Sequence, residues 1–344
     1  MADPGSANNT VPATSNDASL GGGSSQGWNW HPDLPIKPMP VFTWPFSPAK
    51  FARWFGRTWL TLSNRVVTLV ISIATWLYLQ PALERCREFE LGWLAQMYAR
   101  NIALMLVVAG GLHLYLITFG RQGVQLKYDR RPQAQNNKAF TFNNQVWDNM
   151  FWSLASGVTV WTAFEAVSMW AFANGYIQLL SWQQHPVLFI CWLLLIPVWN
   201  SAHFFVIHRI LHHPALYQRF HALHHRNTNV GPWAGISMHP LEHLMYFSAV
   251  AIHWVVISHP VHVIYNLQFL ALNAVYGHSG FENILIRGKR RMSLGTFYHQ
   301  LHHRYFECNY GTAEVPIDQW ANSFHDGSVQ ARERIRQRRA ALGN

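Results

Sequence analysis

Charged side chains are scarce. Asp, Glu, Lys and Arg make up 12% of the 344 residues, against about 25% in a typical soluble domain. The length alone would allow two soluble domains, but the charge deficit argues against them. Cysteine is scarce too: Cys86, Cys191 and Cys308 lie far apart and form no CxxC pair, so no disulfide framework can be read. No positive segment followed by an apolar one begins the chain, which excludes a secretory signal peptide there. No haem domain or flavin fingerprint is apparent. The glycines of "GGLHLYLITFG" lack the downstream acid and the strand–turn–helix setting of a dinucleotide site. Lys and Arg exceed Asp and Glu by 26 to 16, yet they flank apolar runs and form no compact basic domain. They suit anionic lipid headgroups, and no nucleic-acid partner is expected.

Apolar residues are abundant, at 50%, with 17 Trp, many near the ends of apolar runs as in an interfacial aromatic belt. Four runs have about the length of a membrane span: 59–82, 102–119, 150–173 and 186–207. Two shorter ones, 244–258 and 261–277, suit a shallow hairpin. The expected fold is therefore all-α and polytopic, with about four transmembrane helices plus a short hairpin and a cytosolic, helical, histidine-rich cap. Expected boundaries are a disordered tail at 1–27, an interfacial lead-in at 28–58, an N-terminal membrane region at 59–185, a histidine-box domain at 186–325 and a basic C-terminal helix or tail at 326–344. Loop 120–140 carries Arg121, Lys127, Arg130, Arg131 and Lys138 against Asp129, whereas loop 174–185 has no Lys, Arg, Asp or Glu. The positive-inside rule then places the region after the fourth run on the cytosolic side.

That region holds the histidines. "HRILHH" from His208, "HALHH" from His221 and "HQLHH" from His299 set imidazoles three and four residues apart, which gathers them on one face of a helix. Clustered neutral imidazoles leave ring nitrogens unpaired at about 1–3 kcal/mol each, and a shared metal satisfies them together. A lone histidine is ordinarily a packed residue, and His31, His113, His185, His253, His259, His262 and His325 are read that way. In "SMHPLEHL", Pro240 suits a first helical position, with His239 at the entry and His243 a turn along. Glu242 is either an acceptor for an imidazole N–H or a solvated acid of the first turn. His278, on a glycine-flanked turn after a long apolar run, is a further ligand candidate. So many imidazoles without cysteine argue for two metals, and for oxygen chemistry at iron on a lipid C–H bond. Two other classes fit a histidine-rich membrane chain: a metal transporter and a bis-His haem electron carrier.

In these motifs, together with "HPLEH", "HSG" and the "NYG" of 309–311, residues 190–325 resemble the fatty acid hydroxylase/sterol desaturase superfamily. The resemblance implies a helical membrane scaffold, two non-haem iron ions, O2 as oxidant, and electrons from a separate donor. That donor would be a cytochrome b5-like protein or a ferredoxin-type carrier with its reductase. It also implies a sterol or fatty acyl substrate that is hydroxylated or desaturated. By motif position His208, His212, His221, His224, His225, His299, His302 and His303 carry over as ligands, with His239 and His278 as additions and His213 competing with His212. The lead-in "NSAHFFVIHR" departs from the family by placing Asn200 and His203 where an acid and aromatics are usual. Trp161, Trp192, Trp199 and Phe269 are the expected walls of a lipid channel to the metals.

Overall fold

The computed structural model describes residues 27–341. The tail expected at 1–27 lies outside them, apart from Gly27. Caps start several helices. Pro48 follows Ser47, whose hydroxyl accepts from the Lys50 amide, and opens α1 (Pro48–Trp59). Ser63 caps α2 (Asn64–Leu79) in the same way. Next come α3 (Leu91–Thr118) and α4 (145–173), the latter capped by Asn144. Pro186 opens α5 (Pro186–Leu211). Beyond it lie α6 (214–225), α7 (Pro240–Phe247) and α8 (Pro260–Gly277). The chain ends with a strand pair, β1 (Asn283–Ile286) and β2 (Lys289–Ser293), then α9 (Phe297–Tyr305) and α10 (Val329–Ala341).

By length and hydropathy α3 and α5 are candidate spans, each with mean hydropathy 1.8, and α2 is a shorter apolar helix. Their outer faces are apolar: Val187, Leu188, Ile190, Leu195 and Val206 of α5 are exposed, as lipid-facing residues are. The helix α3 begins well before the run at 102. Charged residues in 83–100 keep it out of the apolar run, but Trp93, Met97, Arg100 and Asn101 recur at helical spacing and are buried. Arg100 donates to Glu165 of α4 at 2.6 Å, and Asn101 donates to the other carboxylate oxygen at 3.1 Å. Each charge thereby neutralises the other in an apolar interior.

The segment 261–277 is not a shallow half-hairpin. It lies in α8, which packs on α2, α4 and α5 and is buried along nearly its whole length. His259 and His262 cap its start reciprocally: His259 Nδ1 accepts from the Val261 amide and His262 Nδ1 from the His259 amide. Both therefore keep their packing role. The described residues are mostly helical, as expected, with one small addition to the all-α expectation, the β1–β2 hairpin. Ile286 pairs with Lys289 around Arg287 and Gly288, which have φ of 53° and 71°. Two left-handed residues in a two-residue loop match the strand twist. The first part of the lead-in is docked on the C-terminal half: Trp28 packs edge-on against Phe297 at 5.0 Å and lies under Arg304. One edge of α10 is packed through Ala331 and Ile335.

Candidate metal centre

Three elements deliver most of the imidazoles. The end of α5 carries His208 and His212, α6 carries His221, His224 and His225, and α9 carries His299, His302 and His303. His278 arrives from the residue that closes α8. Neighbouring nitrogens fall into two groups, each with its ligand atoms within 4.8 Å of one another. One is His208, His212, His221, His225 and His302; the other is His224, His278, His299 and His303. In the first, Nε2–Nε2 separations are 3.0 Å for His208–His221, 3.2 Å for His212–His225 and 3.0 Å for His225–His302. In the second they are 3.3 Å for His224–His278, 3.0 Å for His278–His303 and 3.1 Å for His299–His303.

The far side of several rings fixes which nitrogen carries the proton. His208 Nδ1 donates to the Tyr310 carbonyl and His302 Nδ1 to the Cys308 carbonyl, both at 2.6 Å. His278 Nδ1 donates to the Ala274 carbonyl at 2.8 Å, and His224 Nδ1 to the Ser237 carbonyl at 3.3 Å. A carbonyl can only accept, so each of these rings turns an Nε2 lone pair inward. At His224–His278 two such lone pairs face each other, which is repulsive unless a cation sits between them. Protonation does not supply that cation. Burial, then the neighbouring imidazoles, holds His225, His299 and His303 well below the ordinary histidine range. Burial likewise lowers His278 and His302 to about 4. Two nitrogens at about 2.1 Å from one metal and at right angles to each other stand about 3 Å apart, as these do. The donor set fits two metal ions.

Glu242 lies behind the first group. Its Oε1 is 2.7 Å from His221 Nδ1, with both side chains 2% exposed. Burial pushes the Glu242 carboxyl up, and burial followed by the neighbouring imidazoles pushes His221 down. A cation held at His221 Nε2 would reverse both tendencies and favour a carboxylate accepting from Nδ1–H.

Not every candidate joins the groups. His239 is the correction among the ligands: it caps α7, its Nδ1 accepting from the Leu241 amide, and its ring rests on Phe220. His243 bonds Ser156 and the Ile236 carbonyl. His203 bonds Ser248, and His213 is exposed.

A cavity of about 120 Å³ leads to the second group and is lined by its His224, His278 and His299, with Phe204, Tyr246 and Phe269 on the walls. Of the expected channel residues only Phe269 lines it. Trp161 is sealed in the helical core, Trp199 donates to the Ala249 carbonyl at 2.8 Å, and Trp192 packs near His253. The carbonyl partners and the wall residues Asn200 and Asn273 were not assigned from the sequence. The "NYG" motif was the available signal for the first of these. Asn309, at φ 52°, is anchored by its Nδ2 to the Tyr298 and His325 carbonyls, and the Cys308 and Tyr310 carbonyls beside it meet His302 and His208.

Residues 190–323 match the family described as fatty acid hydroxylase. Over this region the chain is similar to the fatty acid hydroxylase/sterol desaturase superfamily. All nine grouped histidines fall inside the hydroxylase match. Among curated relatives, the Delta(7)-sterol 5(6)-desaturase ERG3B of Gibberella zeae is 33% identical over 33% of this chain and 35% of its own length. A putative Delta(7)-sterol-C5(6)-desaturase 2 of Arabidopsis thaliana is 27% identical over 46% of this chain and 57% of its own. The Delta(7)-sterol 5(6)-desaturase erg31 of Schizosaccharomyces pombe is 28% identical over 62% and 70%. The match thus spans about a third to three fifths of the length of the first two relatives. No solved structure matches the chain.

Proposed function

We propose that this protein is a membrane-bound, O2-dependent oxidoreductase that hydroxylates or desaturates a lipid C–H bond, sterol or fatty acyl, with two iron ions as cofactor. The observation that carries this reading is the pair of buried imidazole groups, one of which closes the end of an apolar cavity. His208, His212, His221, His225 and His302 would hold one iron, and His224, His278, His299 and His303 the other. Iron bound there supplies O2 activation and the capacity to take hydrogen from an unactivated C–H bond. The chain's own residues supply the rest. Neutral imidazoles keep their Nε2 lone pairs inward because carbonyls hold Nδ1–H, and the apolar walls exclude water from the reacting carbon. Four imidazoles in place of five leave the second group more room for other ligands, and that group is the one beside the cavity.

The same reading has four spanning helices with the histidines on the cytosolic side, a lead-in at 28–58 lying on the bilayer, and electrons from a separate donor. Support for the orientation comes from the basic loop 120–140 against the uncharged loop 174–185. A transporter would place ionisable groups along a path through the spans. The buried Glu165 is instead paired with Arg100 and Asn101.

The test is metal analysis with an optical spectrum of the purified protein, alongside lipid profiling of cells with and without the active gene. Two irons per chain, no haem absorption, and a lipid mass change of one oxygen or two hydrogens are expected. His224→Ala and His302→Ala should each lose metal and all turnover while still inserting. Full activity in either variant would sink the assignment.

A further inference from the structure

Two side chains on the cavity wall have unused hydrogen-bonding capacity. Asn200 of α5 and Asn273 of α8 both line it, and in each the Nδ2 and Oδ1 atoms are buried without a partner. Three other polar groups on the wall are engaged. Thr312 donates to Ser201 at 2.8 Å, Glu314 is ion-paired with Arg65, and the Tyr246 hydroxyl donates to the Leu270 carbonyl at 2.9 Å. Buried amides left unpaired are rare and call for an occupant.

Their position bears on what that occupant is. Asn200 precedes His208 by eight residues, about 12 Å along the axis at 1.5 Å per residue, and Asn273 precedes His278 by five, about 7.5 Å. Both helices run toward the histidines, so both amides sit upstream of the metal groups. Phe204 and Gly277, one turn on from each, continue the same wall.

We propose that Asn200 and Asn273 bind the hydroxyl of a neutral lipid and so fix which C–H bond meets the histidines. This rests on the lipid-oxidase reading. An amide both donates and accepts, and a hydroxyl does the same, so the two are complementary. A carboxylate only accepts, and no Lys or Arg lines the cavity to balance its charge. The adjoining Arg65 is taken by Glu314. A plain alkyl chain uses neither amide. The substrate class is therefore a lipid alcohol whose hydroxyl lies on the order of 10 Å or less from the carbon oxidised.

Displacement of tritiated cholestanol from the purified full chain in nanodiscs tests this without turnover. The competitors are unlabelled cholestanol, cholestane, which lacks only the hydroxyl, and palmitate. Wild type should hold cholestanol at least tenfold tighter than cholestane. Asn200→Leu and Asn273→Leu should each bring that ratio below threefold with cholestane binding and iron content unchanged, and Asn→Ala at the same positions serves if a leucine variant fails to insert. Equal binding of alcohol and hydrocarbon by wild type would overturn the proposal. So would palmitate competing as well as cholestanol, or a ratio preserved in both variants. Iron measured on the same samples separates the two readings. Alcohol selectivity without iron removes the oxidase and keeps this site; two irons without selectivity does the reverse.

Discussion

Glu242→Gln is the most discriminating change near the metal groups, because it alters charge and almost nothing else. Glutamine keeps the length, and its carbonyl oxygen can still accept from His221 Nδ1, 2.7 Å away. What disappears is the negative charge behind the ring. Removing the carboxylate behind a ligating histidine typically lowers metal affinity 10- to 100-fold, about 1.4–2.7 kcal/mol. The pair is 2% exposed on both sides, so solvent screens it little and the upper half of that range is expected. Glu242→Leu should cost more, since it also strands the His221 N–H at about 1–3 kcal/mol. The effect should fall on one iron, because His221 belongs to the five-histidine group. Iron per chain is measured under graded chelator competition. A two-step release, with only the step that belongs to the five-histidine group shifted in Glu242→Gln, is the expected curve. Iron retention within twofold of wild type in both variants would refute the role given to Glu242.

Breaking the Arg100–Glu165 pair by Arg100→Ala should destabilise the protein by about 3–5 kcal/mol, because it leaves a carboxylate uncompensated in an apolar interior; thermal unfolding in detergent measures it, and an unchanged midpoint counts against the pairing. In a Cys191→Ser background, since Cys86 and Cys308 are buried and Cys191 is exposed, cysteines at Ala139 and Thr228 should react with a cytosolic reagent and one at Gln183 should not; labelling at Gln183 reverses the orientation. Phe269→Ala enlarges the cavity wall and should shift the product ratio at constant iron, while Trp199→Ala, off the wall, should lower stability and leave the ratio unchanged; product ratio per bound iron decides between them.

The grouping of the histidines was legible because a helix converts sequence spacing into direction. Three boxes with three- and four-residue spacing each gather their imidazoles on one side, and in the fold those sides meet. The same logic misled at His239, which stands four residues before His243. There Pro240 makes the preceding residue a cap, and a capping ring turns back to its own backbone. The hairpin 283–293 was readable in principle, since "RG" between short runs suits two left-handed residues, but the flanking charges of "RGKRR" masked it. The start of α3 was hidden in the same way: Arg100 reads as a loop residue until its partner Glu165, 65 positions away, is known. Tertiary pairing of that kind leaves no local trace.

The channel shows where the sequence held more than was taken from it. Trp192 and Trp199 were natural choices for a lipid path along α5, because size and apolarity favour aromatics. But α5 is apolar all round, and size does not say which face is inward. His208 does. At about 100° per residue, Trp199 lies nine positions and so about 180° away from His208, and Trp192 about 160° away. Both belong on the opposite side. Pro197, Ser201 and Phe204 come within about 40° of His208 and Asn200 within about 80°, and all four line the cavity. The position of one grouped histidine therefore phases its whole helix, and the cavity wall follows from counting back from it. The residue that looked out of place in the lead-in, Asn200, is on that wall for the same reason that Trp199 is not.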